Sequence, residues 1–398
     1  MQPRVTIVIP VYNGAKYMRE AIDSALAQSY ENVEVIVIND GSTDQTEEIA
    51  LSYGDRIRYA AKENGGVSTA LNMGIACMTG DYFQYLPHDD LLHPDKIKLQ
   101  IEAIQASGDE MTIAWSGWNQ LLEPEHKMIP AQIPPWHPRS CWTKRDYPVW
   151  VGLVSTVTVL LHRRYFDQAG LFDPALYTSQ DYDMWYRTFY ARDSVYLETP
   201  LVTYRIHREQ GTQADENFHK NCEDLALRKV REVTEETLCY VQPFKFFYEL
   251  LKFYQDTQWE APYRYARSRL LELEEPESGM KARNAFAGLL GRGAKKLVVY
   301  GAGKNGRRLQ RELWMHGIEI DAFCDRDPAK RGVEIGGVPC LGREQLSGEC
   351  MVLISIDQPE PVRKELLAQG VVQVMDYREA AEYLWTACPI KARVLQHM

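Results

Sequence analysis

The first ninety residues alternate between short, almost continuously apolar runs and a segment with helical periodicity. The apolar runs are Arg4–Pro10, Val33–Ile38 and the start of Gly80–Asp90. Between the first two, Lys16–Gln28 carries its apolar residues on one helical stripe. Apolar strands that alternate with helices are typical of a parallel sheet covered on both faces. The pattern therefore predicts an α/β fold here.

Polar groups follow each of these apolar runs. They are the Pro10–Asn13 turn, Asp40, and the adjacent pair Asp89 and Asp90. Ligands of parallel sheets bind at the carboxyl ends of strands. Two adjacent carboxylates repel each other unless a cation lies between them, so the pair indicates a hard divalent metal. Taken alone, such a pair is more often a solvated turn or a helix cap than a metal site. Three polar strand ends together favour a site.

The middle of the chain is irregular and then helical. A loop rich in proline and tryptophan, Ile129–Trp150, is predicted to lie over the site. Helices are expected from about Glu216 to Gly291, including the aromatic stretch Phe244–Tyr254. This stretch is open to two interpretations, contact with a membrane or lipid-linked acceptor, and packing inside the protein. Packing is the favoured interpretation.

The last part of the chain begins with a strand, Lys296–Tyr300, followed by a glycine-rich turn and a helix to about His316. Gly301, Gly303 and Gly306 permit a tight turn and the close approach of a phosphate to the helix N-terminus. A second strand, Glu319–Cys324, ends at Asp325, where a Rossmann unit places its ribose-binding acid. Two later strands are predicted, at Met351–Ile356 and Val371–Met375. The same glycines also let a helix pack closely on a strand, so a nucleotide in this domain is one of two open interpretations.

Composition narrows the class of protein. A chain of 398 residues implies two or three domains. Its net charge of -10 argues against nucleic acid as a partner. The eight cysteines include no Cys-x-x-Cys pair, so neither a zinc site nor a disulfide framework is indicated. No signal-peptide pattern occurs, and the longest apolar run, Val149–Leu161, is too short to span a bilayer. We therefore expect a cytoplasmic protein.

Several motifs occur in order along the first half of the chain. They are Val5–Asn13, Asn39–Asp44, Glu63–Ser68, Ala70–Gly74, Leu86–Asp90, Gln180–Arg187 and Tyr204–His207. Together they resemble the inverting family 2 glycosyltransferases, which have the GT-A fold. The last part resembles the small Rossmann-like domains of bacterial sugar-modifying proteins. The expected organisation is a GT-A domain over residues 1–215, a helical linker region over 216–291 and a Rossmann-like domain over 292–398.

The resemblance implies roles for particular residues. The nucleotide-sugar site would comprise Pro10, Tyr12, Asn13, Asp40, Asn64, Gly65, His88, Asp89 and Arg205. Asp89 and Asp90 would bind Mn or Mg, His207 would complete the metal shell, and Arg205 would neutralise phosphate charge. Asp181 would be the catalytic base, although an aspartate at a helix start is also typical of a cap. The second nucleotide site would comprise Gly301, Gly303, Gly306 and Asp325.

The chain departs from the family pattern at three positions. Pro87 stands where many relatives carry an acid, Leu71 where many carry an arginine, and Gln180 where a glutamate is usual. The first departure bears on metal binding and the second on the identity of the nucleotide.

The function that the resemblance implies is a single displacement. Asp181 removes a proton from an acceptor hydroxyl, and a nucleoside diphosphate, expected to be UDP, leaves with inversion. A glycan or lipid-linked acceptor in bacterial surface polysaccharide synthesis is expected, with peripheral association at the inner face of the membrane. The Rossmann-like part is open to nucleotide binding, regulation or assembly of a homo-oligomer.

Two other classes stay open. A sugar nucleotidyltransferase would begin with a glycine-rich, basic loop, which Val11–Gly14 lacks. A non-catalytic nucleotide-binding scaffold or sensor is the other alternative.

Overall fold

The structure is a computed structural model that forms two compact units. The described residues are 2–131, 133, 139–176, 178–190, 192–210, 217–234, 238, 241, 243–273, 294–315, 318–335, 337–371 and 373–387. The first unit comprises Met1–Ile133, Trp142–Thr234 and Phe253–Pro262, and the second comprises Pro134–Cys141, Glu235–Lys252 and Tyr263–Met398. The three-domain division at residues 215 and 291 stays a prediction.

The first unit is built on a nine-stranded sheet. Its strands are β1 Val5–Val11, β2 Val33–Asp40, β3 Arg58–Lys62, β4 Tyr82–Tyr85, β5 Leu91–Leu92, β6 Ala114–Leu122, β7 Lys127–Pro130, β8 Leu160–His162 and β9 Val195–Ile206. Its helices are α1 Met18–Leu26, α2 Thr46–Leu51, α3 Val67–Cys77, α4 Lys96–Ser107, α5 Tyr147–Trp150, α6 Arg164–Ala169, α7 Gln180–Phe189 and α8 Phe218–Glu232. The strand order is β3-β2-β1-β4-β8-β6-β9-β5, with β7 paired to β6.

The sheet is wholly parallel in its first part and mixed in its second part, where β6 and β9 also pair in parallel. Strands β1 to β4 pair in parallel, as the sequence predicts. Beyond them β8 runs antiparallel to both β4 and β6, and β5 runs antiparallel to β9. The parallel arrangement expected for the strands of the first ninety residues is therefore confirmed for β1 to β4, and the second part of the sheet is mixed. An apolar run shows that a strand is buried but not the direction in which it runs.

The predicted amphipathic pattern accounts for the packing of the first unit. All seven residues of β1 are buried, as expected for a strand covered on both faces. The stripe Met18, Ala21, Ile22 and Ala25 of α1 is buried in the main core. Helix α3 lies close to β1 at Gly74, where an added Cβ would be 2.3 Å from a methyl carbon of Val8.

The second unit is built on a six-stranded sheet. Its strands are β10 Lys296–Tyr300, β11 Ala322–Cys324, β12 Glu334–Ile335, β13 Val338–Leu341, β14 Cys350–Ile354 and β15 Gln373–Asp376, in the order β12-β13-β11-β10-β14-β15. All pairs are parallel except β12 with β13. Alternate residues of β10 enter two hydrophobic clusters, one on each face of the sheet. Helices α11 Lys304–Met315, α12 Pro359–Ala368 and α13 Tyr377–Ala387 accompany these strands.

Two further helices, α9 Pro243–Thr257 and α10 Glu260–Glu272, contribute residues to both units. Helix α9 contains the aromatic stretch predicted at Phe244–Tyr254. Its side chains Phe246, Phe247, Leu250 and Leu251 are at most 2 % exposed, which favours packing over contact with a membrane. Within the described residues, no helix combines the length and apolar character needed to cross a bilayer.

Candidate functional site

Asp89 and Asp90 lie in a tight turn between β4 and β5. The amide N–H of Asp90 donates to the carbonyl of Pro87, so Pro87 is the first residue of this turn. Both carboxylates are buried, with 8 % of Asp89 and 1 % of Asp90 exposed. Burial and the neighbouring charge of Asp89 raise the pKa of Asp90 well above its usual value. Burial acts in the same direction on Asp89, but the hydrogen bond with His207 and the charges of His88 and His207 together lower the pKa of Asp89.

Two residues at the end of β9 hold this turn. His207 Nε2 lies 2.9 Å from Asp89 Oδ2, and the amide of Arg205 donates to Asp90 Oδ1 at 2.8 Å. The Arg205 side chain also donates from Nε to the carbonyl of Asp89 at 2.9 Å. The sequence therefore identified a β9 segment that does meet the acidic pair.

The predicted phosphate contact of Arg205 does not fit its surroundings. Its side chain is only 3 % exposed and forms ion pairs with Glu20 and Glu123 at 2.7 and 2.6 Å. It also lies over the ring of Tyr17. Because its charge is already neutralised inside the protein, Arg205 is better described as the anchor of the turn.

The surroundings of Asp89 and Asp90 are compatible with a cation. The second oxygen of Asp90, Oδ2, and Nδ1 of His207 are buried and have no hydrogen-bond partner among the described residues. Those residues contain no cluster of three or more His, Cys, Asp or Glu that could hold a metal. Mg²⁺ commonly uses only one or two carboxylates and takes its remaining ligands from water and substrate phosphates. The carboxylate pair therefore fits a metal that binds together with its substrate.

His88 packs against the turn that follows β1. A Cβ on Gly14 would be 2.6 Å from its ring carbon Cδ2, so a side chain at position 14 would displace the imidazole. Burial lowers the pKa of His88. Pro10 is buried at the end of β1, whereas 49 % of Tyr12 is exposed. Of the predicted residues in this turn, Tyr12 and Asn13 are the ones that face solvent.

Asp40 is buried beside a glycine loop. Its carboxylate accepts hydrogen bonds from Lys62 Nζ at 2.5 Å and from the amides of Gly65 and Gly66 at 3.1 and 2.8 Å. These bonds hold the loop that presents Asn64 and Gly65, both exposed. Asp40 thus stabilises the loop that forms this surface. Its contact with a nucleobase stays a prediction.

Leu71 is fully buried on the inner face of α3. It does not line this surface, so the departure from arginine at position 71 leaves the exposed residues of the site unchanged.

Asp181 lies in the first turn of α7. The N-cap position is Ser179, in a left-handed conformation with φ of 63°, so Asp181 is not the capping residue. The hydroxyl of Thr156 donates to Asp181 Oδ2. Burial raises the pKa of the Asp181 carboxyl above its usual value, and the Thr156 hydrogen bond acts in the opposite direction.

Tyr85, a buried residue of β4, is subject to the charges of both Asp181 and the acidic pair. Burial raises the pKa of Tyr85 well above its usual value, and the charges of Asp181, Asp89 and Asp90 raise it further. Three carboxylates from two distant parts of the sequence therefore act on one buried hydroxyl. Sequence reasoning missed both Tyr85 and Thr156. The only signal for Tyr85 was its place just before the acidic turn, and Thr156 had none.

The second unit presents its predicted residues at one end of β10. Gly301 has a φ of +99°, which favours glycine. A Cβ on Gly306 would be 1.7 Å from the carbonyl oxygen of Gly301, whereas one on Gly303 would meet no atom within 4 Å. Asp325 accepts from the amides of Ala302 and Asp327 and from Lys330 Nζ, at 2.8, 3.0 and 2.9 Å. The predicted residues therefore lie together, with the carboxylate of Asp325 already bonded.

Parts of this chain are similar to known proteins. The sequence profile described as Glycosyl transferase family 2 matches residues 6–131. An uncharacterized glycosyltransferase of Rickettsia prowazekii is 41 % identical over 241 residues, covering 60 % of this chain and 76 % of that protein. One of Rickettsia felis is 40 % identical over 268 residues, covering 66 % of this chain and 44 % of that protein. The chain thus spans less than half the length of some curated relatives.

A crystal structure of Staphylococcus aureus TarS 1-349 in complex with UDP-GlcNAc is similar over 68 % of this chain and 81 % of that one, with a TM-score of 0.49 and 14 % identity.

The chain belongs to glycosyl transferase family 2. The predicted fold class, a GT-A-type α/β domain with a smaller second sheet toward the C-terminus, is confirmed by the strand arrangement and by family membership.

Proposed function

We propose that this chain is a metal-dependent inverting glycosyltransferase. It transfers a sugar from a nucleoside-diphosphate donor, expected to be UDP, to a hydroxyl of a glycan or lipid-linked acceptor in bacterial surface polysaccharide synthesis. The observation that carries the proposal is the buried acidic turn after β4, where Asp90 Oδ2 and His207 Nδ1 have no hydrogen-bond partner among the described residues. Transfer needs a base and a means of stabilising the leaving diphosphate, and we assign the first role to Asp181 and the second to Asp89 and Asp90.

The proton transfer is assigned to Asp181. Its carboxylate takes the proton of the acceptor hydroxyl while the acceptor oxygen forms a bond to the anomeric carbon. The bond from that carbon to the diphosphate oxygen breaks on the opposite face, which inverts the anomeric configuration. The raised pKa of Asp181 supports this role, because a base is most effective when its pKa approaches the working pH.

The diphosphate side is assigned to the turn after β4. Asp89 and Asp90 would hold Mn or Mg, which when bound supplies positive charge that stabilises the departing phosphates. His207 orients Asp89 through their hydrogen bond, and Arg205 holds the turn from behind. Tyr12, Asn13, Asn64 and Gly65 offer the exposed surface for the nucleoside.

The proposal is tested by exchanging the base. Asp181→Asn should retain donor binding, seen as an unchanged rise in melting temperature with UDP-sugar and Mn. Its rate of UDP release should fall about 100- to 10,000-fold, the usual contribution of a general base. Asp167→Asn, an exposed aspartate on α6, is the matched control. An active Asp181→Asn enzyme would remove the assignment.

The same assay separates the remaining alternatives. A glycosyltransferase slowly releases free sugar and nucleoside diphosphate from its donor when water replaces the acceptor. A nucleotidyltransferase requires pyrophosphate or a sugar phosphate, and a binding scaffold does neither. Sugar release that depends on Mn and on Asp181 supports the proposal, and release by neither wild type nor variant with any of several nucleotide-sugars contradicts it.

A further inference from the structure

A short 3₁₀ turn, Thr156–Thr158, lies between the catalytic candidates and a buried polar cluster. Its first residue, Thr156, donates from its hydroxyl to Asp181 Oδ2. Its other two residues, Val157 and Thr158, are buried. The turn therefore connects the side chain that would accept the proton with the interior of the first unit.

The carbonyl groups of Val157 and Thr158 are held by two buried glutamines. Gln84 Nε2, on β4, donates to the carbonyl of Val157 at 2.8 Å. Gln100 Nε2, on α4, donates to the carbonyl of Thr158 at 2.8 Å. Both glutamines have no measurable exposure. Because each amide bonds one of two consecutive carbonyls, the turn is held at two neighbouring points.

One lysine ties the two glutamines together. Lys96 is fully buried, and its Nζ donates to Oε1 of Gln84 and, at 2.5 Å, to Oε1 of Gln100. No carboxylate among the described residues lies within ion-pair distance of this ammonium, and burial lowers the pKa of Lys96 well below its usual value. Because Lys96 Nζ donates to both Oε1 atoms, it fixes the two glutamine side chains whose Nε2 groups hold the turn. We call Gln84, Lys96 and Gln100 the glutamine–lysine clamp.

We propose that Thr156 is a positioning residue for Asp181 and that the glutamine–lysine clamp holds the turn that carries Thr156. The proposal rests on the proposed function in one respect, that Asp181 is the base. The Thr156 hydroxyl donates to Oδ2 and so fixes the orientation of the carboxylate that would receive the proton of the acceptor. It also favours the ionised carboxylate, because a hydrogen bond to the charged form stabilises it.

The titratable groups of the described residues that interact with Asp181 include two tyrosines. In addition to burial, the charge of Asp181 raises the pKa of Tyr85 on β4 and that of Tyr182 on α7. Tyr204 on β9 acts on both tyrosines in the same direction. Burial raises the pKa of Tyr85 well above its usual value and that of Tyr182 as well, so both are neutral at working pH. Cys222 faces Tyr182 from α8. Removal of the Thr156 hydroxyl should therefore act on the titration of Asp181.

The test compares Thr156→Val, which removes the hydroxyl at nearly constant volume, with Thr156→Ser, which keeps it. In Thr156→Val the acid limb of kcat/KM for Mn-dependent UDP release from a UDP-sugar should move upward by about one pH unit, the size expected for a hydrogen bond to a charged group. Thr156→Ser should restore the wild-type limb. An unshifted limb in a folded Thr156→Val enzyme would overturn the proposal.

A second measurement does not require activity. Carbon-13 NMR of the aspartate carboxyl groups follows the titration of Asp181, whose signal is identified by its loss in Asp181→Asn. Its midpoint should rise by about one unit in Thr156→Val and by less in Lys96→Met, which disrupts the clamp. Unchanged midpoints would reject the positioning role. If instead the midpoint shifts while Asp181→Asn stays active, the proposed base is wrong and the Thr156 contact stands.

Discussion

The two units each place acidic and glycine-rich segments at the end of a buried strand, yet they differ in how their polar groups are satisfied. In the first unit, Asp90 Oδ2 and His207 Nδ1 are buried without a partner among the described residues. In the second unit, both oxygens of Asp325 accept hydrogen bonds from the protein. A buried polar atom left without a partner costs about 1–3 kcal/mol. A ligand would remove this cost in the first unit, whereas the second is satisfied without one.

Two glycines of the motif in the second unit, Gly306 and Gly303, have different surroundings. Gly306 is required by contact within the protein, since any side chain would collide with the carbonyl of Gly301. Gly303 has open space around it. Packing of helix on strand thus explains one glycine of the motif by itself, and nucleotide binding in the second unit stays a prediction.

The largest effect on stability is expected at the anchor of the first site. Arg205→Met would remove the guanidinium paired with Glu123, whose side chain is 9 % exposed and whose Oε2 also lies 3.3 Å from His126 Nδ1. The free energy of unfolding should fall by about 3–5 kcal/mol, measured by urea denaturation. Arg208→Met, at an exposed position two residues after the last strand of the sheet, is the control. Full stability combined with weak UDP binding would instead restore the phosphate contact first predicted for Arg205.

The next effect is expected on catalysis. Asp89→Asn removes one charged oxygen ligand of the proposed metal, and the rate of UDP release should fall about 100- to 1,000-fold, the loss typical of a deleted electrostatic stabiliser. The Mn concentration needed for half-maximal rate should rise. Asp325→Asn, in the second unit, should leave both quantities unchanged. An equal loss of the rate of UDP release in Asp89→Asn and Asp325→Asn would contradict the difference that we infer between the two units.

A smaller effect separates the two glycines. Gly306→Ala should lower the free energy of unfolding by about 1–3 kcal/mol, because the added methyl overpacks the contact with Gly301. Gly303→Ala should change it little. Thermal unfolding of both variants provides the measurement. If a nucleotide binds at Gly303, then Gly303→Ala, and not Gly306→Ala, should reduce the rise in melting temperature that added nucleotide causes.

The smallest effect is a pH-dependent one at Asp325. Burial alone would raise the pKa of Asp325, but hydrogen bonds from the Asp327 amide and Lys330 lower it. The stabilisation by Asp325 is therefore fully present above the pKa of an aspartate in the unfolded chain, near 4. It is lost as the pH falls through the lower pKa that Asp325 has in the folded chain. Asp325→Asn should cost about 1–2 kcal/mol of unfolding free energy at pH 7 and progressively less in acid. A deficit that persists undiminished at pH 2 would contradict this.

Sequence patterns located most strands and helices but did not show how distant segments pair. The apolar runs identified β1, β2 and β10, and the helical stripe of α1 matches its buried face, because side-chain burial imposes a period on the sequence. The direction of β8 beside β4 could not be predicted, since pairing between distant segments leaves no local pattern. The ion pairs of Arg205 could not be predicted either, because its partners Glu20 and Glu123 are far away in sequence.

The order of motifs along this chain was enough to assign its family and to name Asp89, Asp90 and Asp181 as acidic groups of interest, because residue type and local spacing are written in the sequence. Only the folded chain revealed which charges are already neutralised, which atoms lack partners, and that Thr156 touches Asp181. Those properties depend on distances between residues far apart in the chain. Hydrogen bonding and burial act through space, so they are decided where the strands and helices meet.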